Sequence, residues 1–186
     1  SFVSDDDDIV PEGRARPRVT SIDDVFGKAP DMEGKIIDPI DVDPETGVAY
    51  GWSTLSILFS LRNRPESRLH SVDLPYAHVN NDNWVGCAVP LELRKQWSLL
   101  RCADRDGLPK IFSKLGKIDL AHYDSDKSFG GRLFAYRLIW KHLRDGGALI
   151  SDDIGDNLAF LYFCTLVNKE PLIVKENKKF LGLVFK

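Results

Sequence analysis

Strand-like and helix-like segments alternate along most of this chain, and the alternation ends in two strands separated only by a tight turn. From about residue 45 onward, short apolar runs typical of strands are separated by segments with helical periodicity. Such alternation predicts an α/β fold with a doubly wound, mostly parallel sheet and helices on both faces. The final pair, PLIVKEN and KFLGLVFK, turns around residues 177–179 and predicts an antiparallel last strand, because parallel neighbours need a long crossover.

The elements can be placed approximately from their periodicity. After a first strand that ends at the segment ETGVAYGWST, strands are predicted at 68–73, 98–101, 118–123 and 148–151, before the terminal pair. Helices are predicted at 53–61, 91–96, 108–115, 129–143 and 158–167. The clearest helix is 129–143, whose apolar stripe contains Leu133, Tyr136, Trp140 and Leu143. Asp145-Gly146-Gly147 is expected to stop this helix. With the first strand and the terminal pair, the sequence predicts seven strands in all.

The first 41 residues do not follow this pattern. They contain the acidic run SDDDD, three clustered arginines and several prolines, without a persistent helical or strand period. Low hydrophobicity with mixed charge favours an irregular extension or a lid over an independent domain. We therefore expect an extension at 1–41 and one domain at 42–186, although the prolines of 36–44 are unusual beside a central strand.

Charge and composition exclude several classes of protein. The 25 basic and 28 acidic side chains give a formal net charge of −3, which argues against a broad nucleic-acid-binding face. The longest apolar run, at 159–167, is far shorter than the roughly 20 residues that span a membrane. Three cysteines without metal-ligand spacing indicate a reducing compartment and buried or inert thiols. We expect a cytoplasmic protein without a nucleic-acid or membrane partner, and a homodimer is possible.

A glycine-containing segment, ETGVAYGWST at 45–54, connects the first strand to the first helix. Gly47 and Gly51 permit a tight turn and a close approach of backbone to a ligand. Asp73 ends the next strand, 22 residues after Gly51, where a carboxylate can bind the hydroxyls of a ribose. The alternative is that both glycines serve only the turn and that Asp73 caps a loop.

Carboxylates are concentrated in two later segments, HYDSDKSFGG at 122–131 and ISDDIGDN at 150–157. Each segment follows or closes a predicted strand, and the ends of neighbouring parallel strands lie roughly 5 Å apart. Asp124 would then face Asp152 and Asp153, and three such carboxylates repel one another unless a cation neutralises them. Oxygen ligands of this kind suit Mg²⁺, Mn²⁺ or Ca²⁺. Alternatively, Asp152 and Asp153 only cap the following helix.

Together these segments resemble the class I S-adenosylmethionine-dependent methyltransferases. ETGVAYGWST is similar to their first motif in its E-x-G-x-x-x-G form, SVDLP at 71–75 to the ribose-binding strand end, and residues 102–104 to the strand end beside the adenine. KFLGLVFK is similar to the strand that distinguishes this fold from nicotinamide-binding Rossmann domains. The resemblance covers about 42–186 and implies a Rossmann-like fold and S-adenosylmethionine as cofactor. The cofactor-binding residues that it implies are Glu45, Gly47, Tyr50, Gly51, Ser53, Asp73, Ala103, Asp104 and Asp124.

The acidic segments resemble metal-dependent O-methyltransferases of the catechol and caffeoyl-coenzyme-A type, with a D-x-x-K motif and a later pair of acids. The wider sequence is similar to a bacterial branch that includes macrolide-sugar O-methyltransferases and cephalosporin-hydroxylase-like proteins. This resemblance implies a divalent cation, Mg²⁺ above all, held by Asp124, Asp152 and Asp153. It also implies Lys127 as general base, where some members carry His, and methylation of a small-molecule or sugar hydroxyl. Lys127 is alternatively only a counter-ion.

Two other functions remain compatible with parts of the pattern. A nicotinamide-dependent oxidoreductase would use the same glycine turn, but the chain lacks G-x-G-x-x-G and has the terminal antiparallel strand. A non-catalytic binding protein would keep the methyltransferase fold alone. The joint presence of the turn, Asp73 and the three acids favours an enzyme. Its acceptor pocket is expected to involve the N-terminal segment and the loop at 76–90.

Overall fold

The computed structural model describes residues 43–74 and 83–186. The predicted extension at 1–41 lies outside the described residues, as does much of the predicted acceptor loop. The strands are β1 (Asp43–Thr46), β2 (Leu69–Val72), β3 (Trp97–Leu100), β4 (Ile118–Tyr123), β5 (Leu143–Ser151), β6 (Leu172–Glu176) and β7 (Lys179–Phe185). The helices are α1 (Trp52–Leu61), α2 (Asp104–Phe112), α3 (Phe129–His142) and α4 (Ala159–Leu166), with 3₁₀ turns at Leu93–Gln96 and Ile154–Asp156.

All seven described strands belong to one sheet, in the order β3-β2-β1-β4-β5-β7-β6. The first five strands in this order pair in parallel, and β7 is antiparallel to both β5 and β6. The predicted doubly wound, mostly parallel sheet with an antiparallel last strand is thus confirmed. The strand order reverses between β1 and β4, and open α/β sheets bind ligands at such a switch point.

The central strands end in register at this switch point. Thr46 of β1 pairs with Tyr123 of β4, and Tyr123 pairs with Ser151 of β5. The next amides continue the alignment, because Asp124 N donates to Thr46 O at 3.0 Å and Asp152 N donates to Tyr123 O at 2.9 Å. The chain therefore leaves three neighbouring strands at one edge of the sheet.

Pro44 lies in β1 despite the low tolerance of central strands for proline. It pairs with His70 of β2, whereas the pairing of β1 with β4 involves Glu45 and Thr46. The proline thus stands at the end of the strand where only one neighbour pairs with it among the described residues.

The larger apolar core lies between the sheet and helices α2, α3 and α4, and a smaller cluster of Leu58, Leu69 and Val89 lies beneath α1. On α3 the buried residues are Gly131, Arg132, Ala135, Tyr136 and Ile139. The predicted stripe is therefore rotated slightly, since Leu133 and Trp140 are only partly buried against the core. An arginine stands within the buried face.

Several elements differ from the sequence prediction in type or in bounds. The predicted helix at 91–96 is only a 3₁₀ turn. Helix α2 begins four residues before the predicted start, since Ala103 is an extended N-cap and acids in the first turn favour helix formation. The expectation that Asp145-Gly146-Gly147 stops the helix is wrong, because α3 ends at His142. Residues 145–147 lie within β5, where Gly146 and Gly147 pair with the backbone of Lys186, directly after β7.

The cysteines only partly follow the expectation of buried thiols. Cys164 is buried, and burial raises the pKa of its thiol to about 11. Cys87 is exposed. None of the helices in the described part of the chain has the length and apolar character needed to span a membrane.

Candidate active site

The turn after β1 lies directly against the segment that follows β4. Gly47 has φ +78°, and a Cβ atom at this position would overlap the carbonyl of Asp124. Ala49 also has a positive φ, of 47°. Glycine at position 47 is therefore required both by the backbone conformation and by the close approach of Asp124.

Asp73 fastens the end of β2 to this turn. Its Oδ2 accepts hydrogen bonds from the backbone amides of Val48 at 2.8 Å and Ala49 at 3.0 Å, and its Oδ1 forms an ion pair with Arg101. Each carboxylate oxygen can accept more than one hydrogen bond, so the predicted contact with ribose hydroxyls is compatible with these partners. Arg101 was not found by the sequence analysis, which gave no reason to pair it with Asp73.

Glu45 connects β1 to the start of α1 and to β2 through side-chain hydrogen bonds. The residue is fully buried, and its carboxylate accepts hydrogen bonds from Ser53 Oγ at 2.7 Å, Thr54 Oγ1 at 2.7 Å and Ser71 Oγ at 2.8 Å. Glu45 and Ser53 thus belong to a network that anchors the start of α1, and their contact with the cofactor stays a prediction. Tyr50 is 59% exposed and, like Gly51, lies outside the cavity lining.

A cavity of about 550 Å³ lies at the carboxyl ends of the strands, a size typical of small-molecule sites. Of the predicted site residues, Gly47, Asp73, Ala103, Asp104, Asp124 and Lys127 line it. The lining residues that the sequence analysis missed are Ala49, Leu74, Arg105, Ser125, Asp126, Gly131 and Phe134. Most of these follow a predicted residue directly or lie on α2 and α3, where only the assembled fold shows which side chains face a cavity.

Asp104 lies at the wall of this cavity with one oxygen satisfied and one not. Its Oδ1 accepts a hydrogen bond from Ser125 Oγ at 3.0 Å, whereas the buried Oδ2 has no partner among the described residues. Burial raises the pKa of Asp104, and the hydrogen bond from Ser125 offsets this only in part. A buried acceptor without a partner is costly, so Asp104 is suited to accept an N–H or O–H group of a ligand.

The three candidate metal ligands converge beside the cavity. Asp124, Asp152 and Asp153 each place a carboxylate oxygen within 4.8 Å of the other two, and all three are half-buried. The predicted proximity of these acids is thus confirmed. The donor set consists of hard oxygens and retains solvent access, which fits Mg²⁺ or Mn²⁺.

The start of α4 is stabilised by Asn157 and not by the neighbouring acids. Asn157 Oδ1 accepts a hydrogen bond from Ala159 N at 2.9 Å at the start of α4, and its Nδ2 donates to the carbonyl of Lys127 at 2.8 Å. Asp153 makes no side-chain cap for the 3₁₀ turn that it precedes. The asparagine, and neither aspartate, therefore accepts the first amide of the helix.

Two ammonium groups lie among the carboxylates. Lys127 Nζ forms an ion pair with Asp124 and lies 3.2 Å from Asp153 Oδ2, while Lys179 Nζ lies 3.1 Å from Asp153 Oδ1. Burial by itself would raise the pKa of Asp153, but hydrogen bonds and charges from Lys179 and Lys127 outweigh it and lower that pKa. Lys179 was not predicted, because it comes from β7 and enters the site only through the strand order.

Comparison with known proteins places this arrangement among methyltransferases. A family model described as a methyltransferase domain matches residues 45–154, more than half of the chain. A comparison with curated proteins gives no match.

Solved structures with the same fold include an O-methyltransferase from Bacillus cereus in complex with SAH, with TM-score 0.60, 18% identity, and coverage of 78% of this chain and 74% of that chain. CalS11, a TDP-rhamnose 3′-O-methyltransferase of calicheamicin biosynthesis, gives TM-score 0.62, 15% identity, and coverage of 77% and 71%. TomG from Streptomyces achromogenes, an O-methyltransferase of tomaymycin synthesis in complex with SAM, gives TM-score 0.61, 12% identity, and coverage of 78% and 73%.

At these identities the structural neighbours establish the fold, whereas the family match covers the glycine turn, Asp73 and the acids after β4 and β5. The chain belongs to the methyltransferase domain family and is an enzyme with the class I S-adenosylmethionine-dependent methyltransferase fold.

Proposed function

We propose that this enzyme transfers a methyl group from S-adenosylmethionine to a hydroxyl of a small molecule or sugar with the help of a divalent cation, Mg²⁺ above all. The observation that carries the proposal is the convergence of Asp124, Asp152 and Asp153 beside a cavity bordered by the glycine turn. The three structural neighbours described above are O-methyltransferases, and one acts on a deoxysugar nucleotide, which supports the acceptor class.

Three residues are assigned to the methyl donor. Gly47 has no side chain, so the backbone of the turn would approach the ligand closely. The carboxylate oxygens of Asp73 would accept hydrogen bonds from the ribose hydroxyls. The unpartnered Oδ2 of Asp104 would accept an N–H of the adenine amino group. When bound, S-adenosylmethionine supplies an electrophilic methyl group on a sulfonium sulfur.

The acidic cluster is assigned to the acceptor side of the reaction. Asp124, Asp152 and Asp153 would hold the cation through their carboxylate oxygens, since three hard oxygen ligands converge there. When bound, a divalent ion supplies charge that stabilises the deprotonated form of an acceptor hydroxyl. Because Asp124 lies both in the cluster and in the cavity wall, these residues would orient the hydroxyl toward the methyl donor.

Lys127 is the candidate general base. It lines the cavity, and its Nζ lies between Asp124 and Asp153, while Asn157 holds its backbone carbonyl. Lys127 can act as a base only as the neutral amine, so it would first release its ammonium proton to solvent. It would then take the proton of the acceptor hydroxyl while the hydroxyl oxygen bonds to the methyl carbon. The sulfur keeps the electron pair of the broken carbon–sulfur bond, so the reaction needs no further reactant.

The proposal is tested by measuring the methyl-donor site and the metal site separately. The calorimetric probes are S-adenosylhomocysteine for the first site and Mn²⁺ for the second. Asp152→Ala should weaken Mn²⁺ binding strongly and leave S-adenosylhomocysteine binding almost unchanged, and Asp73→Asn should do the reverse. Asp145→Asn, at an exposed acid of β5, is the matched control and should change neither. Failure of the wild type to bind S-adenosylhomocysteine would overturn the methyl-donor assignment. Binding of Mn²⁺ unaffected by Asp152→Ala would overturn the metal assignment.

Turnover tests the base, with a catechol and a deoxysugar nucleotide as trial acceptors. Lys127→Met should reduce kcat by about 10²–10⁴-fold, the usual contribution of a general base, while both probes still bind. Near-normal kcat would reduce Lys127 to an ion-pair partner of the acids. We further propose that the enzyme is cytoplasmic and forms a homodimer, without a nucleic-acid or membrane partner. The free cysteines support that location.

A further inference from the structure

A fully buried arginine stands behind the acidic end of β5. The side chain of Arg132, on α3, has no solvent exposure. It donates from Nη1 to the carbonyl of Asp152 at 3.2 Å and from Nη2 to the carbonyl of Asp153 at 2.9 Å. Its guanidinium also reaches Tyr136 Oη at 3.3 Å and forms an ion pair with the half-exposed Asp156 at 3.3 Å. Arginine is rarely buried without such partners, and two of these are main-chain carbonyls of the candidate metal ligands.

The conformation of this segment needs an explanation. Side chains of consecutive residues in extended backbone point to opposite faces, so Asp152 and Asp153 would diverge if the extended conformation of β5 continued beyond Ser151. Here Asp152 and Asp153 both place a carboxylate oxygen within 4.8 Å of Asp124. Asp153 has φ +50°, in the left-handed region that residues with a Cβ atom seldom adopt. The alternation is broken at the point where Arg132 binds both carbonyls.

We infer that Arg132 is a positioning residue that holds the backbone of Asp152 and Asp153 in the conformation that lets both carboxylates reach one cation. The inference rests on the proposed metal site. The two terminal nitrogens of the guanidinium lie in one plane and bind two successive carbonyls, a more rigid arrangement than the rotatable donors of an ammonium group provide. Arg132 acts through the main chain, since its described contacts include neither carboxylate of Asp152 and Asp153.

Electrostatics and positioning predict opposite effects of removing Arg132. A positive charge near the acids repels a cation, so loss of the charge alone would tighten cation binding. Loss of the two carbonyl contacts would free the backbone of Asp152 and Asp153. The carboxylates would then separate, which weakens cation binding. Groups that orient metal ligands through hydrogen bonds typically contribute 10–100-fold to the affinity for the metal. The sign of the change therefore identifies the role of Arg132.

The test is calorimetric titration of the full chain with Mn²⁺, together with titration with S-adenosylhomocysteine. Arg132→Met should weaken Mn²⁺ binding by about tenfold or more, and Arg132→Lys by a smaller factor. S-adenosylhomocysteine affinity should stay within about twofold, since Arg132 does not line the cavity. Arg137→Met, at an exposed arginine of the same helix, should leave both affinities unchanged.

One further variant separates the ion pair of Arg132 from its carbonyl contacts. Asp156→Asn removes the ion pair but keeps both carbonyl contacts, so it should bind Mn²⁺ like the wild type. Circular dichroism establishes whether each variant is folded, and if Arg132→Met does not fold, Arg132→Lys decides. Unchanged or tighter Mn²⁺ binding by a folded variant at position 132 would overturn the inference. Absence of Mn²⁺ binding in the wild type would overturn it together with the metal assignment, while the S-adenosylhomocysteine titration still tests the methyl-donor site.

Discussion

At the scale of the residue, Gly47 decides how closely the two halves of the site approach. Gly47→Ala places a Cβ atom against the Asp124 carbonyl in a backbone conformation unfavourable for alanine. We expect a loss of about 1–3 kcal/mol in the free energy of unfolding and weaker S-adenosylhomocysteine binding. Denaturant unfolding and calorimetry measure the two effects. Gly130→Ala is the control, because nothing lies near its Cβ position and alanine favours the helix. Wild-type affinity in Gly47→Ala would contradict the assignment of this turn.

Asp104 gives a prediction that depends on pH. Burial raises the pKa of this acid above its ordinary 3.8. Its contribution to folding is therefore fully present below that value and is lost as the pH rises through the raised pKa of the folded state. At neutral pH the buried charge destabilises the protein, so Asp104→Asn should raise the free energy of unfolding by ~1 kcal/mol.

This gain should shrink as the pH falls below the raised pKa, and S-adenosylhomocysteine should bind more weakly because an acceptor of the ligand is altered. Unfolding experiments at neutral and acidic pH measure the first effect and calorimetry the second. A variant that is less stable than the wild type at neutral pH would show that the burial of Asp104 is compensated.

At the scale of the element, β7 brings a cation to the acids of β5. The hairpin places β7 between β5 and β6, and Lys179 at its first position lies 3.1 Å from Asp153. Lys179→Ala removes a charge that competes with a divalent ion, so Mn²⁺ affinity should rise about threefold at low salt and less at high salt. Lys178→Ala, at the exposed neighbouring lysine, is the control and should have no effect. Unchanged affinity in Lys179→Ala would mean that its ammonium group does not compete with the ion.

At the scale of the whole molecule, side chains of the apolar core contact the end of β5 that carries the acidic cluster. Phe160 on α4 is fully buried and packs edge-on against Tyr136 at a centroid distance of 5.8 Å. Tyr136 Oη in turn lies 2.7 Å from Ser151 Oγ, at the end of β5. Phe160→Ala leaves a cavity and should cost about 3–5 kcal/mol in unfolding free energy, a large part of the stability of a domain.

Chemical denaturation measures this cost. Phe59→Ala, at a phenylalanine of α1 that is 55% exposed, is the control and should cost about 1 kcal/mol or less. A comparable cost in both variants would contradict the view that Phe160 stabilises the molecule through its burial.

Much of this protein was determined by its sequence alone. The period of apolar residues predicted β4 at its observed bounds and most other elements within a few residues, because periodicity is a local property of the chain. The approach of Asp124 to Asp152 and Asp153 was predicted as well, since each follows a strand and parallel strands end at one edge.

Only the tertiary structure decided which distant groups meet at that edge. Glu45 became a buried anchor, Lys179 entered the acidic cluster, and Arg132 came to hold the backbone of Asp152 and Asp153. The physical reason is that strand order, register and backbone conformation set contacts between segments far apart in the chain. Arg132 is a polar residue on the buried face of a helix. Only the folded structure reveals the carbonyls and the charge that make its burial favourable.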